Sequence, residues 1–149
     1  MSATLSAPAA AGYSGKAPWQ KLGLARGLRI LLRRAPGDYA TLVGTRAEDL
    51  TLVGTRAAFD VAHLFVDRAA ALTRELASLS ARLAADGVIW VSWPKRASGV
   101  ATDIREDTVR DFALPLGLVD VKVCAMDATW SALKLVWRRT HRSDKPART

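Results

Sequence analysis

One cysteine in 149 residues excludes an internal disulfide, because Cys124 has no partner in the chain. That count suits a reducing compartment without requiring one. Only two histidines are present, His63 inside an apolar run and His141 near the end, so neither has a second histidine at ligand spacing. A metal site is therefore not expected. There is no CxxC pair and no GxSxG nucleophile elbow, so dithiol redox chemistry and α/β-hydrolase chemistry both lack support. Apolar runs fall well short of the roughly 20 residues that cross a bilayer. The start, MSATLSAPAAAGYSG, lacks both a basic segment and a sustained apolar core, and reads as a flexible tail rather than a signal peptide. A soluble, cytoplasmic protein with no membrane partner is the expectation.

What is present is the composition of a globular protein: 50% hydrophobic and 24% charged residues. The length is that of one domain able to bury a core without covalent staples. We place a flexible tail over 1–14, a single domain over 15–140 and a basic flexible tail over 141–149. The net charge of +8 is unevenly spread, with six bases and no acid in residues 1–37, and five bases against Asp144 alone from Arg138 onward. The body between is net acidic. A basic total of this kind suits an anionic partner, but charge gathered at the ends is weak support for nucleic-acid binding.

Local patterns define a chain of short elements. Trp19 to Leu22, with Gly23 behind, predicts one helical turn, and Leu28 to Leu32 a first strand. Asp38 can N-cap a short helix through Leu42 that Gly44 ends. Leu50–Val53 and Val61–Val66 read as strands. The heptapeptide TLVGTRA begins at both Thr41 and Thr51; ten residues is too short for a solenoid repeat, and the recurrence is read as coincidence. Leu72, Leu76, Leu79 and Leu83 share one helix face, with Asp86 and Gly87 as the stop. Val88–Val91 is apolar at every position, as a strand covered on both faces should be. Asp103 and Glu106 form a capping-box pattern for a helix to about Ala113. In VDVKVCA the residues Val119, Val121, Val123 and Ala125 alternate with Asp120, Lys122 and Cys124, and ALKLVWR alternates likewise. With the short DATWS link between them, these two segments predict an antiparallel hairpin with one buried face. Strand, helix, strand over Asp60–Thr102 is a parallel βαβ unit. The expected fold class is α/β: a compact Rossmann-like, mostly parallel sheet with a C-terminal antiparallel hairpin.

The order of an FDV strand, a helix, a DG-started strand, a further helix and a final hairpin resembles the Rossmann-like sheet of S-adenosylmethionine-dependent methyltransferases. That resemblance implies three features, a glycine-rich turn after the first strand, an acid ending the second and a polar residue near the fourth, of which the first two are missing. Here the turn is LLRRAPGDY, with one glycine and a proline that has no N–H to offer a ligand, and the second strand runs into Gly54, Thr55 and Arg56. No cofactor is assigned on this basis. The phrases GYSGKAPWQKLGL, RAPGDY, FDVAHLFV, WVSWPKRASGVATDIREDTVR and LPLGLVDVKVCAMDATWSALKLVWRR are similar to a family of small bacterial proteins known as a domain of unknown function. The likeness covers nearly the whole chain after the tail and implies a stand-alone domain without implying a reaction. Relatives tend to carry an acid where this chain has Gly37 and another where it has Ala128.

Ligands of open α/β sheets bind at the carboxyl ends of the strands. Arg33 and Arg34 follow the first strand, Arg56 the second, Arg68 the third, and Lys95 and Arg96 the fourth. Guanidinium and ammonium groups there favour phosphate or carboxylate; the alternative is that they are solvated loop ends. Trp93, Pro94, Lys95 and Ser98 form the sharpest local constellation. Trp93 can stack on a planar ligand while Lys95 holds its charge and Ser98, Gly99 and Thr102 donate, or it can seal the sheet end while Pro94 shapes the turn. Parity along the strand sends Trp90 and Trp93 to opposite faces. His63 reads as a satisfied core histidine, Cys124 as a small core or near-surface residue, and Trp130 as a residue that folds back on the sheet or meets a partner. No catalytic residue is assigned. The favoured reading is a non-catalytic binding or regulatory domain for an anionic small molecule. The alternatives are a divergent methyltransferase, another enzyme acting on an anionic small molecule, and a nucleic-acid binder.

Overall fold

The computed structural model of the protein describes residues 15–144, so the tail expected over 1–14 and residues 145–149 of the second tail lie outside the described residues. Six strands form one sheet: β1 (Arg29–Arg33), β2 (Thr51–Val53), β3 (Val61–Phe65), β4 (Val88–Pro94), β5 (Leu118–Ala125) and β6 (Trp130–Trp137), in the order β2-β1-β3-β4-β6-β5. The first four are parallel, and β6 runs antiparallel to both β4 and β5. This is the mostly parallel sheet with an antiparallel hairpin that the sequence predicts. Helices α1 (Pro18–Lys21) and α2 (Tyr39–Val43) precede β2, α3 (Ala69–Ser80) joins β3 to β4, and α4 (Glu106–Ala113) joins β4 to the hairpin.

Alternation along the central strands supplies two cores. Leu72, Leu76, Leu79 and Leu83 are all buried against Ile89, Val91, Trp93 and, from β6, Leu133, Leu135 and Trp137. On the other face, Trp90 joins Leu22, Leu24, Tyr39, Val43, Phe65, Met126 and Ala132. The two tryptophans of β4 thus face opposite ways, and the Trp90 indole N–H donates to Leu22 O at 3.0 Å. Both faces of β3 and β4 are covered, which is why these strands are continuous apolar runs.

Four expectations are corrected. Helix α3 ends at Ser80 rather than near Asp86. The Ser80 hydroxyl donates back to Ala77 O, and the next amides, Arg82 and Leu83, bond three residues back, so tightened turns carry Leu83 into the core. Strand β4 extends past Val91 to Pro94, because pairing with β6 continues as far as Pro94 opposite Trp130. Asp103 does not cap α4: its Oδ1 accepts the Ala69 N–H at the start of α3, 2.7 Å away, and Thr108 Oγ1 accepts the Arg105 N–H at the start of α4. The valines of β5 are not a buried stripe, since Val121 is 54% and Val123 50% exposed. A bulge between Asp120 and Lys122 removes Val121 from pairing, and β5 has a neighbour on one side only. At the carboxyl end, a 3₁₀ helix runs over Arg139–Asp144, and the His141 ring lies 6.5 Å from the Trp137 ring at 11°.

Candidate functional site

The chain leaves β1 for β2 on one side and returns to β3 on the other, so the topological switch lies between β1 and β3. A crevice of about 270 Å³ opens there, lined by Arg34, Pro36, Phe65, Val66, Asp67 and Trp130. Its floor is aromatic. Trp130 stands edge-on to Phe65 at 5.1 Å, and Phe65 stacks on His63 at 4.3 Å, so the hairpin tryptophan folds back on the sheet. Arg34 is the one non-glycine residue with a left-handed backbone among the described residues, at φ 60°. Beyond β2 come Gly54, Thr55 and Arg56, with no carboxylate before the strand-leading Asp60, which itself pairs with Arg29.

Beneath the crevice runs a buried polar chain. Tyr39 Oη lies 2.7 Å from His63 Nδ1, His63 Nε2 lies 2.7 Å from Ser92 Oγ, and the Ser92 hydroxyl donates to Met126 Sδ at 3.3 Å. His63 is a satisfied core histidine, as its sequence context indicates. Burial pushes its pKa down to about 3 and pushes that of Tyr39 up, so both are neutral at physiological pH. The serine–histidine pair has the spacing of a nucleophile and its base, yet Ser92 and His63 have no solvent exposure. Cys124 is half-buried, and burial raises its thiol pKa against the opposing pull of Lys21 and Lys122.

A much larger cleft, about 840 Å³, opens at the carboxyl end of β4 between the 95–105 loop, the start of α4 and β6. Trp93, Pro94 and Ile104 give it an apolar side, and Lys95, Arg96 and Arg105 a cationic one. Trp93 is 6% exposed and packs in the core with Ile104 and Val109, so it seals the sheet end and borders the cleft at once. The walls are tied down. Lys95 N donates to Thr129 O at 2.6 Å, and Thr102 Oγ1 donates to Asp67 O at 2.8 Å while accepting the Ile104 N–H. The Ser98 hydroxyl donates to Lys95 O and accepts the Val100 N–H, which holds the loop's own turn.

The structure does not gather the six bases at the strand ends into one place. Arg33 pairs with Glu75 of α3 at 2.6 Å and Arg34 stands 4.0 Å from the same carboxylate. Arg34 lines the small crevice, and Arg56 and Arg68 are exposed and line neither cleft. Lys95 and Arg96 alone share the large cleft. Arg105, Thr108 and Ser131 line it too and were not legible as site residues. Assigning Asp103 as the N-cap of α4 hides Arg105 within the helix, whereas the acids Glu106 and Asp107 mark a first turn that starts after it. Ser131 reaches the cleft only through its pairing opposite Trp93.

No protein-family model matches the chain, and no curated protein matches it in sequence. Solved structures do match in fold. Magnesium protoporphyrin IX methyltransferase from Synechocystis PCC 6803, solved with bound S-adenosylmethionine, superposes with a TM-score of 0.52 at 11% identity over 79% of this chain and 73% of that one. Ribosomal protein L11 methylase from Lactobacillus delbrueckii subsp. bulgaricus gives 0.50 at 12% identity, over 80% of this chain and 74% of that one. An O-methyltransferase family 2 protein from Planctomyces limnophilus gives 0.53 at 16% identity, over 80% of this chain but 44% of that one. The fold is the Rossmann-like α/β fold of S-adenosylmethionine-dependent methyltransferases. Identities this low establish that fold alone. Among the described residues, no helix is long and apolar enough to cross a membrane.

Proposed function

We propose that this protein is a non-catalytic binding domain on a methyltransferase-like sheet, taking an anionic small molecule in the cleft beyond β4 rather than S-adenosylmethionine at the switch point. Its similarity in sequence phrases to the small bacterial domain of unknown function is part of this reading. The observation that carries it is the contrast between the two clefts. Small-molecule pockets run from about 300 to 1,000 Å³; the switch-point crevice, about 270 Å³ over packed aromatics, falls below that range, and the β4 cleft, about 840 Å³ with three bases, falls inside it. At the crevice itself, Pro36 offers no N–H and β2 ends without an acid, so the residues present suit that cofactor poorly.

The test is a thermal-shift panel of small carboxylates and phosphates on the full chain and on a Lys95→Ala/Arg96→Ala variant. Exposed charges usually contribute within about 0.5 kcal/mol, so the variant should melt close to the parent and lose the shifts that the parent shows. A variant that unfolds far more readily makes the pair structural; one that keeps every shift places the site elsewhere.

A further inference from the structure

The polar groups of the β4 cleft divide unevenly between donors and acceptors. One oxygen of each of its acids is engaged, Asp103 Oδ1 by the Ala69 N–H and Glu106 Oε2 by the Arg110 guanidinium, which leaves Asp103 Oδ2 and Glu106 Oε1 as acceptors. Thr102 is committed on both sides, to Asp67 O and the Ile104 N–H. Lys95, Arg96 and Arg105 make no ion pair among the described residues. Thr108 accepts the Arg105 N–H and keeps its hydroxyl hydrogen, and the Ser131 hydroxyl has no partner among the described residues. The cleft therefore offers a ligand three unpaired cations and two hydroxyls against two half-engaged carboxylates, a net positive lining beside an apolar side, with Val100, 45% exposed, at the rim.

Resting on the cleft reading above, we infer that the ligand is a phosphate monoester with a compact apolar body. A phosphate monoester carries about −1.5 to −2 charge at pH 7 and three acceptor oxygens with no strong donor. That complements a cleft whose lining is net positive and whose free donors outnumber its free acceptors, and arginine forks grip such oxygens in pairs. A monocarboxylate brings one charge and two oxygens and leaves more of the cationic side unpaired. The ester's apolar part lies against Val100, the exposed apolar side chain of the rim, with Trp93, Pro94 and Ile104 buried behind it.

Calorimetry on the full chain with phenyl phosphate, benzoate and inorganic phosphate tests this. Phenyl phosphate should bind at least about tenfold more tightly than either of the others, and Arg96→Ala and Arg105→Ala should each weaken it by about fivefold or more at unchanged melting temperature. Arg105→Lys, which keeps the charge and loses the fork, should fall between. Affinity for phenyl phosphate should rise between pH 5.5 and 7.5 as the second phosphate ionisation, near pKa 6, completes, while that for benzoate stays flat. Benzoate binding as well as phenyl phosphate, with both lost in the variants, overturns the phosphate assignment and leaves an anion cleft. Absence of phenyl phosphate binding also overturns it. Phenyl phosphate binding that all three substitutions leave unchanged removes the cleft reading as well.

Discussion

A neutral imidazole with both nitrogens engaged has one proton arrangement here that uses every polar hydrogen: Tyr39 donates to His63 Nδ1, His63 Nε2–H donates to Ser92, and Ser92 donates to Met126. Tyr39→Phe removes the first donor and strands the Nδ1 lone pair, which should cost about 1–3 kcal/mol in urea unfolding. Because folding holds the His63 pKa at about 3 against 6.5 in the open chain, the unfolded state takes the proton first as pH falls. Stability is then complete above about pH 6.5 and declines from there toward 3. His63→Gln cannot titrate, so its unfolding midpoint should change less between pH 7 and pH 4 than the parent's; equal changes would assign the acid sensitivity to other groups. Arg34 makes a second claim at this scale. Its φ of 60° disfavours any side chain, most of all a β-branched one. Arg34→Gly should change stability by less than about 1 kcal/mol, whereas Arg34→Val should lower it by more than that, and the reverse order would remove the strain argument. Burial of His63 was legible from the apolar run around it. Its partners were not, since Tyr39 and Ser92 meet it only through packing of α2 and the pairing of β3 with β4.

Elements follow context more than local sequence, and TLVGTRA shows how far. Its first copy ends α2 because Asp38 caps the helix through Thr41, and Gly44 turns left-handed at φ 79°. Its second copy is β2, where Thr51–Val53 pairs with Arg29–Leu31 and Gly54 keeps an ordinary φ. A preceding Pro-Gly-Asp and a neighbouring strand decide between the two outcomes. The leucine face of α3 and the apolar run of β4 were legible because periodicity records burial directly. Caps were harder: a carboxylate at the right offset for α4 turns out to serve α3 across a loop. Asp103→Ala should therefore cost about 1 kcal/mol, with hydrogen exchange accelerating at the start of α3 rather than within α4. Acceleration confined to α4 would restore the local capping box.

For the whole molecule, strand direction and the closing hairpin were legible from the switch between continuous and alternating apolar patterns. The lateral order β2-β1-β3-β4-β6-β5 is set by packing between distant segments. That order fixes the switch point between β1 and β3, and it makes the crevice there and the cleft beyond β4 separate sites. Three side chains near one sheet edge, Lys95, Arg96 and Arg105, share the cleft, while Arg33 is spent on Glu75; a count of bases at strand ends does not distinguish them. A sheet shared with methyltransferases and a ligand site displaced from theirs is the central claim, and titration calorimetry with S-adenosylmethionine on the purified full chain tests it most directly. The account predicts no binding heat at ligand concentrations up to about 1 mM; a dissociation constant in the low micromolar range, a binding free energy near −8 kcal/mol, would contradict it and favour a divergent methyltransferase.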